Sequence, residues 1–333
     1  MKKSLIVLAT LGAFAGAASA QSSVTLFGVV DLSVNSIKNG STTVKRMDNN
    51  QLNSNRLGFR GTEDLGGGMT AGFWIEGSLS NDTGGTGLNF QRRSTVSLNG
   101  SFGEVRMGRD YTVNFLAMAG NDAYGANGMA TPANLYALGV AQLGSGAGTT
   151  VRANNMVAYF LPGNLGGIYG SLQIAASEGP AGASNKFQGG RLGYAAGPVD
   201  VTVAYSQTGE SPKFKDTTIG GSYNFGVAKL YAFYDQKKFN ANKYTTYSVS
   251  AGVPLGQGEF RVAYSKGNSS ANNSDATLFG AEYIYNLSKR TALYAQYGNL
   301  KNEGASNLSV VLGENTAAGT KSTGYGAGIR HSF

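Results

Sequence analysis

Apolar and polar side chains alternate along the chain from residue 24 onward, in segments of about ten residues. In the segment 24–35, Val and Leu occupy alternate positions, while Thr, Asp, Ser and Asn occupy positions between them. Successive side chains of a strand point to opposite faces, so the pattern predicts strands with one face toward an apolar medium and the other toward water. Sixteen segments follow this pattern: 24–35, 52–62, 69–80, 90–99, 103–110, 152–162, 167–177, 187–196, 199–208, 217–225, 227–236, 245–254, 257–266, 275–286, 290–300 and 322–333.

Short and long connections alternate between these segments. This arrangement is typical of an antiparallel up-and-down sheet with tight turns at one rim and longer loops at the other. The segment 323–333 continues to the end of the chain, with Tyr, Ala, Ile, His and Phe at alternate positions. We therefore predict an all-β fold, a transmembrane 16-stranded antiparallel up-and-down β-barrel. Phe333 would be the terminal anchor where the last strand closes on the first.

The beginning of the chain predicts export. Residues 1–20 contain two lysines, an uncharged apolar stretch and a final Ala-Ser-Ala, which is the pattern of a cleaved signal peptide. Residues 21–333 would then form a single barrel domain. The chain has 50 Gly, 18 Tyr, 16 Phe and no Cys, a composition that suits a barrel with many turns and argues against a disulfide-stapled secreted fold.

One connection differs from the rest. Residues 111–151 form the longest loop, and the acid within it is Asp122, with Asp110 just before it. Loops of this length are usually functional or disordered. Its aromatic, Leu and Met side chains indicate that the loop packs against something. We predict that this third long loop folds into the lumen; the alternative is an exposed, mobile loop.

Several arginines are candidates for a cationic band. Alternation places Arg56, Arg60, Arg93 and Arg152 on the water-facing side, and it turns Arg92 toward lipid near a rim unless a β-bulge shifts the register. Guanidinium groups stacked across a narrow lumen would attract anions and repel cations. In the alternative interpretation they are wall residues paired with acids: Asp31, Glu63, Glu76 or Asp110.

The sequence offers little catalytic chemistry. His331 is the only histidine, and its position near the predicted rim favours a structural role over a Ser/His/Asp triad. We see no zinc pattern, phosphate-binding loop or nucleic-acid module, and we predict a non-enzyme without cofactors or metal. The net charge of +8 favours anionic solutes or lipopolysaccharide as partners. The alternatives are a substrate-specific outer-membrane channel, a hydrolase built on a barrel, and an adhesin with a plugged lumen.

The chain also resembles the general porins of the Gram-negative outer membrane, particularly the anion-selective β-proteobacterial type. The resemblance covers both ends and the barrel walls, and no single stretch would be specific by itself. The matching stretches are SSVTLFGVVDLSV from Ser22, NRLGFRGTEDLGGGMTAGFWIEG from Asn55, RRSTVSLNGSFGEVRMGRD from Arg92, VRANNMVAYF from Val151, SYNFGVAKL from Ser222, YNLSKRTALY from Tyr285 and the terminal GIRHSF.

The resemblance implies a homotrimer in the outer membrane, in contact with its lipids and lipopolysaccharide. It also implies an inward third loop that forms a constriction, and passive diffusion of small anionic and neutral solutes. The family's constriction arginines fall on Arg56, on one of Arg92 and Arg93, and on Arg152. Alternation favours Arg93 for the second position, whereas a motif match that counts from the first of the pair gives Arg92. Because the loop supplies so few acids, we expect a largely uncompensated cationic wall.

Overall fold

The computed structural model describes residues 23–85, 88–137, 143–145, 147–176, 186–271 and 273–333. The predicted signal peptide lies outside these residues. None of the helices in the described ranges is long and apolar enough to cross a membrane. The strands are β1 (Ser23–Asn39), β2 (Thr42–Asn49), β3 (Arg56–Gly66), β4 (Met69–Ser78), β5 (Arg93–Gly100), β6 (Gly103–Tyr111), β7 (Arg152–Phe160), β8 (Ile168–Ala175), β9 (Phe187–Ala196), β10 (Val199–Thr208), β11 (Phe214–Asn224), β12 (Lys229–Phe239), β13 (Asn242–Leu255), β14 (Gly258–Ser269), β15 (Ala276–Asn286), β16 (Thr291–Asn302) and β17 (Lys321–Ser332). The described part of the connection between β6 and β7 contains the short helices α1 (Val113–Gly120) and α2 (Ala133–Tyr136).

The sheet is antiparallel throughout and closes on itself. β17 pairs with β1 from Val29↔Ser332 to Asn39↔Ser322, which joins the last strand to the first. Phe333 continues this pairing, because its backbone N–H and C=O exchange hydrogen bonds of 3.1 Å with those of Gly28. The Phe333 ring lies over Gly28, where a Cβ atom would come within 2.3 Å of it. The predicted closed 16-stranded barrel is confirmed.

The second wall strand is built from two segments. β2 pairs with the upper part of β1, from Leu32 to Asn39, and β3 pairs with the lower part, from Ser23 to Val29. The sequence pattern leaves residues 36–51, between the first two predicted strands, as a long connection, and this is wrong, because β1 runs on to a tight turn and returns as β2. The predicted strand 52–62 also begins too early. Buried Asp31 accepts hydrogen bonds from the N–H groups of Leu52 and Asn53, which draws residues 50–55 out of the wall.

The two faces of the wall differ as the alternation predicts. Apolar side chains outside the barrel are well exposed, and two direct cross-strand pairs, Tyr264↔Phe279 and Tyr297↔Tyr325, form part of an outward aromatic row. Aromatic rows of this kind are typical of the borders of a membrane-spanning band. Polar side chains such as Asp31, Glu76 and Gln296 are buried on the inside. The wall therefore separates an apolar exterior from a polar lumen.

The connection between β6 and β7 is here called the inner loop (residues 112–151), and its described residues, 112–137, 143–145 and 147–151, lie inside the barrel. Helix α1 packs Val113 and Ala117 against small wall side chains, including Ala153 and Ala204. Further along, the loop is hydrogen-bonded to the wall from Ala123 N to Ser250 Oγ (3.0 Å) and from Met129 N to Gln296 Oε1 (3.2 Å).

Wall glycines allow this close approach. A Cβ atom at Gly298 would lie 2.7 Å from the Met129 carbonyl oxygen, and one at Gly280 would lie 2.3 Å from the Ala130 Cβ. Real Cβ atoms do not approach other atoms so closely, so a side chain at either position would displace the loop. The position of the inner loop therefore depends on glycine, which has no side chain, at these points of the wall.

We predict that Gly298→Ala pushes Met129 and the adjoining loop toward the centre of the lumen. The pore should narrow, and single-channel conductance in a planar bilayer should fall. Gly190→Ala is the matched control, because its Cβ would lie 3.2 Å from the flexible end of Leu172 and at an ordinary contact distance, 3.9 Å, from the Ser171 carbonyl oxygen. Equal conductance in the two variants would contradict the proposed seating of the loop.

Candidate functional site: a charged cavity inside the barrel

Three arginines converge on one acid and one tyrosine on the inner wall. Arg92 Nε lies 2.5 Å from Glu76 Oε1, and Arg56 Nη1 lies 3.6 Å from the same oxygen. Arg152 Nη2 donates a hydrogen bond of 2.8 Å to the Tyr111 hydroxyl, which also accepts one of 3.2 Å from Arg92. We call Arg56, Arg92, Arg152, Glu76 and Tyr111 the arginine cluster.

The strands explain why these groups meet. Glu76 is an inward residue of β4, which lies between β3 with Arg56 and β5. Arg152 opens β7 directly opposite Tyr111 at the end of β6. The Arg152 guanidinium stacks on the Tyr111 ring at 4.3 Å and also donates to the Arg92 carbonyl at 2.7 Å. Neighbouring strands therefore bring distant sequence positions to one height of the wall.

The side chain of Arg92 does not point in the direction that simple alternation predicts. Its backbone N–H bonds to the Glu76 carbonyl at 3.0 Å, but the residue precedes β5, which begins at Arg93. Strand geometry therefore does not govern the direction of its side chain, which enters the lumen and is buried against Glu76. The expectation that Arg92 faces lipid is wrong. Arg92, rather than Arg93, shares the cavity with Arg56 and Arg152.

The cluster keeps a positive excess. It contains three guanidinium groups and one carboxylate, that of Glu76. The expected uncompensated wall is therefore compensated in part. Within the described residues, Arg152 forms no salt bridge, and its partners are a phenol and a carbonyl oxygen. Arginine stays charged at any physiological pH, so the excess does not depend on titration.

Arg60 and Arg93 occupy a second level beside Trp74. Arg93 donates a hydrogen bond of 3.0 Å to Thr95 and lies 3.6 Å from the Asp110 carboxylate. Asp110 is bound more closely by Arg106, at 2.6 Å. Asp110 is therefore a buried wall acid shared by two arginines.

Asp122 lies within the inner loop and is almost fully buried. Its carboxylate accepts hydrogen bonds from the N–H groups of Tyr124 (3.0 Å) and Ala126 (2.9 Å) and from the Thr131 hydroxyl (2.8 Å). Burial raises the pKa of the Asp122 carboxyl, and these three hydrogen bonds oppose the shift. The acid thus shapes a turn of the loop, and its oxygens face the loop's own donors.

The open space between the wall and the loop forms a cavity of about 740 Å³. Arg56, Arg92 and Arg152 line one side, the loop residues Leu116 and Tyr124 line another, and the opposite wall contributes several charged groups. Those groups are Glu259, Arg261 and Arg330. Arg261 is paired with Glu259 at 2.9 Å and with Glu282 at 3.5 Å, so the strongest cationic excess lies on the side of the arginine cluster.

A buried ion cluster fastens the inner loop to the far wall. The Lys237 ammonium group is fully buried, lies 3.2 Å from Asp216 and is also paired with Asp235. Tyr136 of α2 covers it, with the ammonium nitrogen 3.3 Å from the ring centre and the hydroxyl 3.3 Å from Asp216 Oδ2. Burial raises the pKa of the Tyr136 hydroxyl well above its ordinary value, so it stays a neutral donor. We call these four residues the loop anchor.

Sequence reasoning missed several of these groups. It named Glu76 only as an alternative wall partner, and it did not identify Tyr111 or the loop anchor. Glu76 could have been found, because it follows Trp74 on the inward face of β4. The loop anchor joins α2 to β11 and β12 across the lumen, and no spacing along the chain signals that contact.

A closed barrel with an apolar exterior and a charged cavity inside it has the architecture of a transmembrane pore. Residues 4–305 match the Gram-negative porin family. The chain belongs to that family and is a channel of the outer membrane. It is 40% identical to outer membrane porin protein 32 of Delftia acidovorans and 30% identical to an outer membrane porin protein of Bordetella pertussis, with full coverage of both chains in each comparison.

Solved structures share the fold of this chain. The anion-selective porin from Comamonas acidovorans superposes with a TM-score of 0.84 at 36% identity, over 94% of this chain and all of that one. A trimer form of OmpT from Vibrio cholerae gives a TM-score of 0.70 at 14% identity, over 94% and 99% of the two chains, and shares the fold.

We predict that Lys237→Met weakens the attachment of the inner loop. Removing one partner of a buried ion cluster leaves Asp216 and Asp235 without a counter-charge, which costs about 3–5 kcal/mol. The thermal unfolding midpoint in detergent should fall, and current noise in a bilayer should rise. Adding Asp216→Asn and Asp235→Asn should restore part of the stability.

Lys229→Met is the control for this variant. It lies on the same strand, and its ammonium nitrogen is 4.8 Å from the Tyr231 ring, but it is partly exposed. Lys229→Met should leave both the midpoint and the noise close to wild type. The same loss in both variants would mean that the loop anchor has no special role.

Proposed function

We propose that this porin is an anion-preferring channel for passive diffusion of small hydrophilic solutes. The observation that carries the proposal is the arginine cluster, where three guanidinium groups face an open cavity with a single carboxylate among them. Fixed positive charge beside a narrow aqueous path lowers the energy of a passing anion and raises that of a cation. The likeness to an anion-selective porin supports the same conclusion.

The arginine cluster would act by electrostatic attraction and hydrogen bonding, without a chemical reaction. A passing anion exchanges part of its hydration shell for guanidinium N–H donors, and Glu76 limits how tightly it is held. The inner loop narrows the path from the opposite side, so Arg56, Arg92 and Arg152 would form the constriction. Arg60 and Arg93 would extend the cationic wall beyond it. Asp110 and Asp122 would act as structural acids, since both are hydrogen-bonded within the wall or the loop.

We also propose that the chain carries out no catalysis. Membership of the porin family implies a channel. His331, the only histidine, lies beside Thr291 with 2.9 Å between Nδ1 and the hydroxyl oxygen, at the end of the last strand. This exposed position favours a structural role at the rim.

Selectivity tests the role of the cluster. In a salt gradient at low ionic strength, Arg56→Ser with Arg152→Ser should lower the anion-to-cation permeability ratio by on the order of tenfold, because two charges leave the ion path. Glu76→Gln should shift the reversal potential in the opposite direction. Raising the salt concentration should reduce both differences by screening.

Lys289→Ser with Arg290→Ser provides the control, since it removes the same charge from the turn before β16. This double variant should change the ratio far less. A wild-type channel that prefers cations would overturn the proposal. So would a cluster variant that keeps the full anion preference.

We propose a homotrimer that inserts among outer-membrane lipids and lipopolysaccharide after removal of residues 1–20. The shared fold with an outer membrane protein solved in a trimer form supports this assembly. Native mass spectrometry of detergent-solubilised protein should give three copies of a chain that begins at Gln21. A monomer, or a chain that keeps residue 1, would contradict the corresponding part of the proposal.

A further inference from the structure

A second cavity, of about 390 Å³, lies below the arginine cluster and contains the only tryptophan of the chain. Trp74 is an inward residue of β4, two positions from Glu76 in the direction of the turn between β3 and β4. At the rise of a strand, this places it about 7 Å nearer to the short-turn rim. An anion that has passed the arginine cluster therefore reaches this cavity next.

Two arginines flank the indole ring. The guanidinium carbon of Arg60 lies 5.2 Å from the Trp74 ring centre, and that of Arg93 lies 4.6 Å from it. Arg60 is the direct cross-strand neighbour of Trp74 on β3, and Arg93 comes from β5 on the other side. The Phe27 ring completes the group, 4.9 Å from Trp74 in an edge-to-face arrangement and 5.4 Å from Arg60.

The ring and one arginine are held in place. The indole N–H donates to Glu76 at 3.2 Å, which fixes the orientation of Trp74. Arg93 is held by Thr95 at 3.0 Å and by Asp110 at 3.6 Å. Phe27 packs over Gly58, where a Cβ atom would come within 2.4 Å of its ring. The aromatic surface is therefore rigid before any solute arrives.

Arg60 is the exception in this group. Its side chain is exposed to the cavity, and no described residue forms a salt bridge or a side-chain hydrogen bond with it. A guanidinium group that stacks on aromatic rings through its faces still presents N–H donors at its edge. Those donors match the two oxygens of a carboxylate. Arg60 thus offers a carboxylate partner next to the part of the Trp74 ring that lines the cavity.

We propose that Arg60, Trp74, Phe27 and Arg93 form a binding site for flat aromatic carboxylates. The carboxylate pairs with the edge of Arg60, and the solute's ring lies against the part of Trp74 that lines the cavity, where an aliphatic acid of the same charge gains less contact. The site rests on the proposed anion channel, because the solute arrives through it. Occupancy is weak and reversible, as a conducting path requires.

The single tryptophan allows a direct test on the intact protein in detergent. Benzoate should quench Trp74 fluorescence along a saturable curve, with excitation at the red edge of the indole band where benzoate does not absorb. Cyclohexanecarboxylate has the charge without the flat ring, and benzamide has the flat ring without the charge. Both should require markedly higher concentrations than benzoate.

Variants of Arg60 test whether this residue binds the carboxylate of benzoate. Arg60→Gln should raise the half-saturating benzoate concentration about tenfold, the effect of losing a hydrogen bond to a charged group. Arg60→Lys keeps the charge but loses the planar fork, so its value should fall between those of wild type and Arg60→Gln. Arg191→Gln is the matched control and should not change the curve, since Arg191 lies over Tyr169 at 5.0 Å, on a distant part of the wall.

Three outcomes would overturn the site: quenching that rises linearly without saturation, equal half-saturation for benzoate and cyclohexanecarboxylate, or an unchanged curve in Arg60→Gln. Conductance separates this failure from failure of the channel itself. A protein that passes chloride selectively in a bilayer but shows no saturable quenching has the proposed function without this site. A protein that shows saturable quenching but no anion preference has the site without the proposed function.

Discussion

The pairing of the last strand with the first is the constraint on which the rest of the structure depends. Hydrocarbon offers no hydrogen-bond partner to a backbone N–H or C=O group, so a sheet in a membrane must have no open edge. β17 supplies the missing partners of β1, and Phe333 extends the ladder to Gly28. Closure also determines which face of every strand is inside. A residue such as Glu76 can then be charged and buried, because its neighbours on the inner face include Arg56 and Arg92.

Closure leaves the lumen to be filled, and the inner loop fills part of it with two kinds of contact. Near Met129 and Ala130, wall glycines remove side chains so that backbone lies against backbone. At Tyr136, the contact is instead a buried cation between two acids under an aromatic ring. The charged groups of this second contact are buried, since Lys237 has no exposed surface. The loop is therefore fastened without adding exposed charge to the path, which remains dominated by the arginine cluster.

Sequence reasoning succeeded where a strict period of two applied and failed where it did not. The outward Val, Leu and Tyr positions predicted the wall, because a one-residue shift would have turned charges toward lipid. Arg92 precedes its strand, so alternation gave it the wrong face. Residues 42–49 have no clear apolar face, and their strand follows instead from pairing with β1. Asp216, which binds the Tyr136 hydroxyl, lies 80 positions further along the chain, so only the folded barrel shows that contact.

The inner wall holds its cations at two successive heights, and this spacing has a physical consequence. At the upper level, Arg56 and Arg92 share Glu76, which moderates their attraction for an anion. At the lower level, Asp110 partly neutralises the charge of Arg93, while Arg60 lies over the rings of Phe27 and Trp74. A single deep site would hold an anion and slow its passage, whereas the two levels, about 7 Å apart along the strand, would let an anion move in steps through the proposed channel. In the proposed anion channel, the acids that reduce the positive charge of the wall would therefore serve conduction, because Glu76 and Asp110 would keep their levels from binding an anion too tightly.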